Sequence, residues 1–262
     1  MRITRDLLLK LARDTATARA RSDRSLMCVY LTGSVLGEEP LLGGTTDIDL
    51  IFVHSDEPYL AREVQRLSDD IHLDIAHYAQ ARFHAPRHLR LDAWMGSFLC
   101  ARPLVLYDVQ HWFDYTQASV FSQFGQPEQV LGRARPLAEA ARQTWFELQT
   151  TPPENSARTL VPYLRALEQA ANAIACLSGP PLTERRFLLN LPGRAAAIGQ
   201  PDLVAALVLL IQGNEPPSAD DWQAWLPAWS ETLRTAGQQP GAALRLHPAR
   251  HAYYEQIGRA HV

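Results

Sequence analysis

The chain has almost no lysine. Lys10 is its single one, so arginine supplies the other 24 of the 25 basic residues. A Walker loop, a Schiff base or a lysyl adduct would have to use Lys10, which sits in plain helical sequence, and these chemistries are set aside. Cysteine is also scarce: Cys28, Cys100 and Cys176 are scattered and odd in number. That pattern suits buried thiols in a reducing compartment better than a disulfide frame. Basic excess is missing as well. A formal net charge of -3 argues against a general nucleic-acid surface, which needs cations to neutralise phosphates. There is no apolar run of transmembrane length and no recognisable leader or lipidation motif, so no membrane partner and a cytoplasmic location are expected.

What is present is enough apolar material for a full core. With 262 residues, 47% of them hydrophobic, two modest domains are possible. Helical composition with leucines at helical spacing predicts a first helix from Thr4 to about Ala20. Leu26 to Leu31 reads as a buried strand, Val35 to Thr46 as a glycine-rich loop, and Asp47 to Val53 as a second strand. Glu57 to Asp70 is expected to form an amphipathic helix. The stretch from His72 to Ala79 alternates like a strand, Arg90 to Ala101 is expected to be helical, and Arg102 to Asp108 is another short strand. Interleaved strands and helices point to an α/β (α+β) layer with a small sheet. From about Gln126 helical segments follow one another: Glu128 to Leu148, Ala157 to Leu177, Thr183 to Ile198, Asp202 to Gln212 and Ala219 to Ala236, with a short last helix opened by Pro248. The expected domains are therefore residues 1–125, catalytic, and residues 126–262, an all-α helical bundle.

The stretch "YLTGSVLGEEPLLGGTTDIDLIFVHS" carries the chemistry. Asp47 and Asp49, at i and i+2 on a strand, point to one face, while Ile48 and Leu50 point to the other. Two like charges side by side in a largely buried setting are costly unless a cation neutralises them. Hard oxygen donors suit Mg²⁺, which takes one or two carboxylates plus substrate phosphates. Asp74 lies in a later alternating run. If the two strands are neighbours, Asp47, Asp49 and Asp74 converge, and three carboxylates can hold two metals for in-line displacement at phosphorus. The turn Gly33-Ser34 fits the same chemistry, with backbone N–H groups and a hydroxyl available to phosphate oxygens. His72 shares the face of Asp74 by alternation, and His77 falls on the other face. Each part alone is common in strand edges and turns; the conjunction is the signal.

These residues resemble the nucleotidyltransferase fold of the polymerase-beta-like superfamily. Its pattern is an apolar residue, Gly, Gly or Ser, a spacer, then Asp-x-Asp, matched by Thr32-Gly33-Ser34 and Asp47-Ile48-Asp49-Leu50. Asp74 stands as the third carboxylate, and Leu104 to Asp108 resembles the strand that follows it. The likeness covers about residues 26–110 and is strongest to the aminoglycoside adenylyltransferase branch, which carries a helical domain after the catalytic one. The resemblance implies that Asp47, Asp49 and Asp74 hold metal and carry catalysis, and that Gly33 and Ser34 contact the nucleotide. It also implies two Mg²⁺ ions and an NTP substrate, expected to be ATP. Two departures stand out: the loop after Gly-Ser carries Glu38 and Glu39 instead of an arginine, and the third carboxylate is Asp74 where drug-modifying members often have glutamate.

The expected activity is transfer of an NMP from an NTP to a hydroxyl of a small molecule, aminoglycoside-like or of another class, with release of pyrophosphate. The acceptor is expected between the two domains, and no nucleic acid is expected. Protein nucleotidylation, as in antitoxin-like enzymes, is the second reading, and a non-catalytic NTP-binding module the third.

Overall fold

The structure is a computed structural model that describes residues 3–150, 157–183, 186–213 and 217–239. The expected last helix at Pro248 lies outside the described residues. Helix α1, Arg5–Ser22, starts where Thr4 caps it, the Thr4 hydroxyl accepting the Leu7 N–H at 3.3 Å. The strands are β1, Leu26–Thr32; β2, Thr46–His54; β3, Arg62–Arg66; β4, Ile71–Ala79; and β5, Leu104–Asp108. They form one mixed sheet in the order β3-β4-β2-β1-β5. β2 and β4 run parallel, and every other pairing is antiparallel.

Alternation decides what each face of that sheet does. Val29 and Leu31 on β1, Ile48, Leu50 and Phe52 on β2, and Ile71, Leu73 and Ile75 on β4 all point to one side. There they pack with Leu8, Ala12 and Ala16 of α1. The α1 residues recur every fourth position, and two of the three are alanine, so the helix can lie close against the strands. The opposite face carries Asp47, Asp49, His72 and Asp74. One face therefore makes the core under α1; the other carries the acids toward one end and buries Cys28, Tyr30 and Val53 toward the other, where Tyr30 meets Phe113 with ring centroids 5.0 Å apart.

The expected helix at residues 57–70 is not formed. The segment instead supplies β3, an edge strand paired antiparallel to β4. Its composition suits a helix, but β4 offers it a full row of backbone partners, and tertiary pairing overrides that weak preference. The charged residues Arg62, Glu63 and Arg66 also blunt the exposed edge against pairing with other chains. The helix expected over Arg90 to Ala101 is two short ones, α2, Pro86–Leu91, and α3, Met95–Cys100. The Asp92 carboxylate breaks them apart by accepting the N–H groups of Trp94 and Met95 at 2.8 and 2.7 Å.

The helical region follows: α4, Trp112–Phe121; α5, Pro127–Thr150; α6, Ala157–Ala175; α7, Phe187–Ala197; α8, Asp202–Gln212; and α9, Ala219–Gly237. A mixed sheet followed by helices is the architecture expected from the sequence. The chain divides into two compact units. One comprises, among the described residues, 3–84, 103–115 and 217–239, and holds the whole sheet. The other comprises 85–102 and 116–213. It has its own core, in which Leu167, Ala171 and Ala175 of α6 meet Leu182, Leu191 and Leu207. Asn172 is buried there with both amide functions used: it donates to the Leu182 carbonyl at 3.2 Å and accepts the Leu182 N–H at 2.7 Å.

At the far end of the α1 face, His54 and His77 stack with ring centroids 5.2 Å apart and share a hydrogen bond of 2.9 Å. Burial holds both rings below the ordinary imidazole range, His77 down to about 4, where His54 and Arg19 push further and Asp23 opposes. The folded rings are thus neutral where the unfolded chain already binds protons. Stability is expected to fall as pH drops below about 6.5, with the contribution of His77 lost by about pH 4. Thermal melts across this window check it: His77→Gln should flatten the slope. A second expectation concerns the core itself. Leu50 is fully buried, and Leu50→Ala should cost about 2–5 kcal/mol, read from urea unfolding.

Candidate functional site

β2 brings its two aspartates to the acidic face because every second residue of the strand is committed to the core. Ile48 and Leu50 are fully buried, whereas Asp47 and Asp49 are half-buried. The register then places their neighbours. Asp49 stands opposite Thr32 of β1 on one side and Asp74 of β4 on the other. Asp47 stands opposite His72, which is completely buried. The strands carrying Asp49 and Asp74 are thus adjacent, as the sequence argument required. His72 shares the Asp74 face, and His77 lies on the α1 face, also as the alternation indicates.

The Gly33-Ser34 turn sits directly against these acids. Gly33 follows the last residue of β1 and has φ +77°, a left-handed conformation that side chains resist. A Cβ at this position would lie 2.9 Å from the Asp49 Cγ and closer still to Oδ2. Glycine is therefore required twice, by backbone conformation and by the carboxylate next to it. Ser34 opens a short 3-10 turn, Ser34–Leu36, and its hydroxyl is 3.5 Å from that of Thr46.

Two anchors fix the loop between the turn and β2. Arg5 reaches from α1 and donates to the carbonyls of Val35 and Leu36, both at 3.1 Å. The Thr46 hydroxyl donates to the Pro40 carbonyl at 2.8 Å. Glu38 and Glu39 are exposed on this loop. Arg5 thus braces the backbone after the turn from a different element.

Arg62 is the residue the sequence reading missed. From edge strand β3 its Nε donates to Asp74 Oδ1 at 2.6 Å, and a terminal nitrogen donates to Oδ2 at 2.7 Å. Asp74 is 5% exposed, while the Arg62 side chain is 55% exposed. This is a two-pronged ion pair whose acid is buried and whose base reaches it from solvent. The available signal was alternation: Arg62, Val64 and Arg66 fall on one face of "REVQR" once that segment is read as a strand.

The three carboxylates share one face without gathering tightly. Among the described residues, the one group of three metal-type ligands with donor atoms all within 4.8 Å of one another is Asp108, His111 and Asp114. That group lies elsewhere: Asp108 pairs with Cys28, toward the start of β1, whereas Asp49 pairs with Thr32 at its end. Asp108 has a structural task there, accepting the Phe113 N–H at 3.1 Å in the first turn of α4. His111 and Asp114 are exposed. The donor chemistry of Asp47 and Asp49 fits a hard cation such as Mg²⁺, since both offer carboxylate oxygens from one half-buried strand face. Asp74 could join them only by sharing oxygens that Arg62 now engages.

No family model matches the chain. No curated protein matches it. Among solved structures it is similar to a nucleotidyltransferase-like protein from Exiguobacterium sibiricum 255-15, at 11% identity, over 97% of this chain and 73% of that one, with a TM-score of 0.34. No helix among the described residues is long and apolar enough to cross a membrane.

The Gly33 geometry sets a direct test. Gly33→Ala should destabilise the protein by about 1–3 kcal/mol, from backbone strain and the clash with Asp49. Chemical unfolding of the variant measures this; an unchanged midpoint would show that the turn can relax away from the carboxylate.

Proposed function

We propose that the chain is a nucleotidyltransferase that moves a nucleoside monophosphate from an NTP, ATP being the expected one, to a hydroxyl of a small molecule. The observation that carries this reading is the register of Asp49. It stands between the strand that ends in Gly33-Ser34 and the strand that carries Asp74. A glycine-containing backbone turn suited to phosphate oxygens and a set of hard oxygen ligands thus meet on one sheet face.

The proposed division of labour is supported by that register. Asp47 and Asp49 would hold Mg²⁺, which when bound offsets charge on the phosphates and on the leaving pyrophosphate. Backbone N–H groups of the Gly33-Ser34 turn and the Ser34 hydroxyl would orient the triphosphate. In the transfer, the acceptor oxygen forms a bond to the α-phosphorus, and the bond from that phosphorus to the bridging oxygen of pyrophosphate breaks. The acceptor's proton has to leave, because an alcohol is a poor nucleophile at neutral pH, and a carboxylate within hydrogen-bond reach is a suitable base. Asp74 is the candidate for that task, or for completing the metal set. A small acceptor is favoured over nucleic acid because the chain has no basic excess.

Asp47→Asn and Asp49→Asn should each lower pyrophosphate release by about a hundredfold or more while leaving the thermal midpoint near or above that of the parent. The charge is lost, but Ile48 and Leu50 still pack. Parent-like turnover in either variant would sink the metal assignment. The acceptor is found by incubating the protein with Mg²⁺, α-labelled ATP and a panel of hydroxylated antibiotics, sugars and nucleosides. Label on a protein alone would move the assignment to protein nucleotidylation. ATP binding without release of pyrophosphate would make the chain a binding module.

A further inference from the structure

On the acidic face, Asp74 has Asp49 opposite it on β2 and Val64 opposite it on β3. Its own strand adds His72 and Ala76 on the same side. The positive charge that meets it comes diagonally from β3, where Arg62 pairs with Ala76 and reaches along the strands to both Asp74 oxygens. Like charges directly opposite on neighbouring strands are destabilising, and Arg62 offsets that repulsion. The same two oxygens are those a metal would need if Asp74 is to complete the set begun by Asp47 and Asp49. Arg62 and a divalent cation are thus rivals for one carboxylate.

The two partners differ in freedom to move. Asp74 is buried in the second strand of the sheet, bonded to neighbours on both sides. Arg62 is on the edge strand, more than half exposed, on a flexible three-carbon stem. Withdrawing it breaks no β-ladder bond, because only its side chain leaves. The loop after Gly33-Ser34 carries Glu38 and Glu39 and offers the triphosphate no cation. A guanidinium released from Asp74 is a well-matched partner for phosphate oxygens, which it can bind in the same two-pronged way.

Resting on the nucleotidyltransferase reading, we infer that Arg62 is a transferable counter-ion. It holds Asp74 in the metal-free protein, gives up the carboxylate to metal, and moves its guanidinium to the triphosphate. In this role Arg62 is a positioning residue toward the metal site and a binding residue toward the nucleotide. It is also the source of the cationic phosphate contact that the acidic loop lacks.

The two halves of this role have opposite signatures. Removing the guanidinium should free Asp74 for metal and, at the same time, weaken nucleotide binding. Mn²⁺ alone, titrated into the full chain and followed by electron paramagnetic resonance, should bind roughly threefold to tenfold tighter in Arg62→Gln than in the parent. ATP with Mg²⁺, followed by calorimetry, should bind Arg62→Gln weaker by a similar factor. Arg62→Lys keeps the charge but cannot grip both oxygens. It should resemble Arg62→Gln for Mn²⁺ and fall between Arg62→Gln and the parent for ATP, which also serves if the glutamine variant folds poorly. Simple structural damage would weaken both affinities together. Any result other than opposite movement of the two affinities overturns the inference. If the parent binds neither Mn²⁺ nor ATP, the nucleotidyltransferase reading fails with it; if the parent binds both and the variants do not diverge, only the role of Arg62 fails.

Discussion

Placing a carboxylate opposite another carboxylate on the next strand is a constraint that the sheet around it has to satisfy. Asp49 and Asp74 are in that relation because β2 and β4 pair in parallel and in register. Much of the first unit can be read as a response. Under α1 the reverse face carries a continuous apolar cluster from β1, β2 and β4, with the His54–His77 pair at its far end, and this packing holds the strands from the side away from the acids. Gly33 has no side chain because the Asp49 carboxylate fills the space one would need. The edge strand supplies Arg62, which brings positive charge to the more buried of the two acids. Each of these features costs something locally, in conformational freedom or exposed edge, and makes sense only as part of the acidic pair.

The supporting shell shows how a site can be rigid in one part and adjustable in another. β2 and β4 are internal strands, so the backbone under the carboxylates is bonded on both sides. The Gly33-Ser34 turn is held differently, by side chains from elsewhere: Arg5 from α1 and Thr46 from the start of β2. Those few bonds fix where the turn points while leaving its outer residues exposed. Binding residues on loops over a rigid scaffold commonly have this arrangement.

Much of this was legible in the sequence, for a physical reason. Residues 47–50 of β2 and 71–75 of β4 alternate polar with apolar, so period two identified the face of Asp47, Asp49, His72 and Asp74. The Gly-Ser turn stood out because it closes an apolar run. What failed was the edge. Residues 57–70 contain Leu60, Val64 and Leu67 at helix-like spacing among good helix formers, and an edge strand buries too little to imprint its own period. Its identity as β3 comes from pairing with β4, which local sequence does not encode. Arg62 was lost with it, since an arginine on a solvated helix carries no message. Helix α4 was missed because its aromatic-rich sequence, Trp112 to Phe121, favours neither state strongly. Tight gathering of the three acids was an expectation from the pattern of residues, which could not show that Arg62 engages both oxygens of Asp74.

The position of Arg62 also bears on how the chain reaches this structure. Arg62 and Asp74 belong to the same hairpin, β3 and β4, twelve residues apart. Asp74 and Asp49 belong to a parallel pairing that closes a longer loop. Shorter loops close at lower entropic cost and sooner. In a chain that folds in that order, β4 arrives at β2 with its aspartate already matched to a guanidinium. The non-local step then brings a neutral pair, rather than a lone negative charge, alongside Asp49.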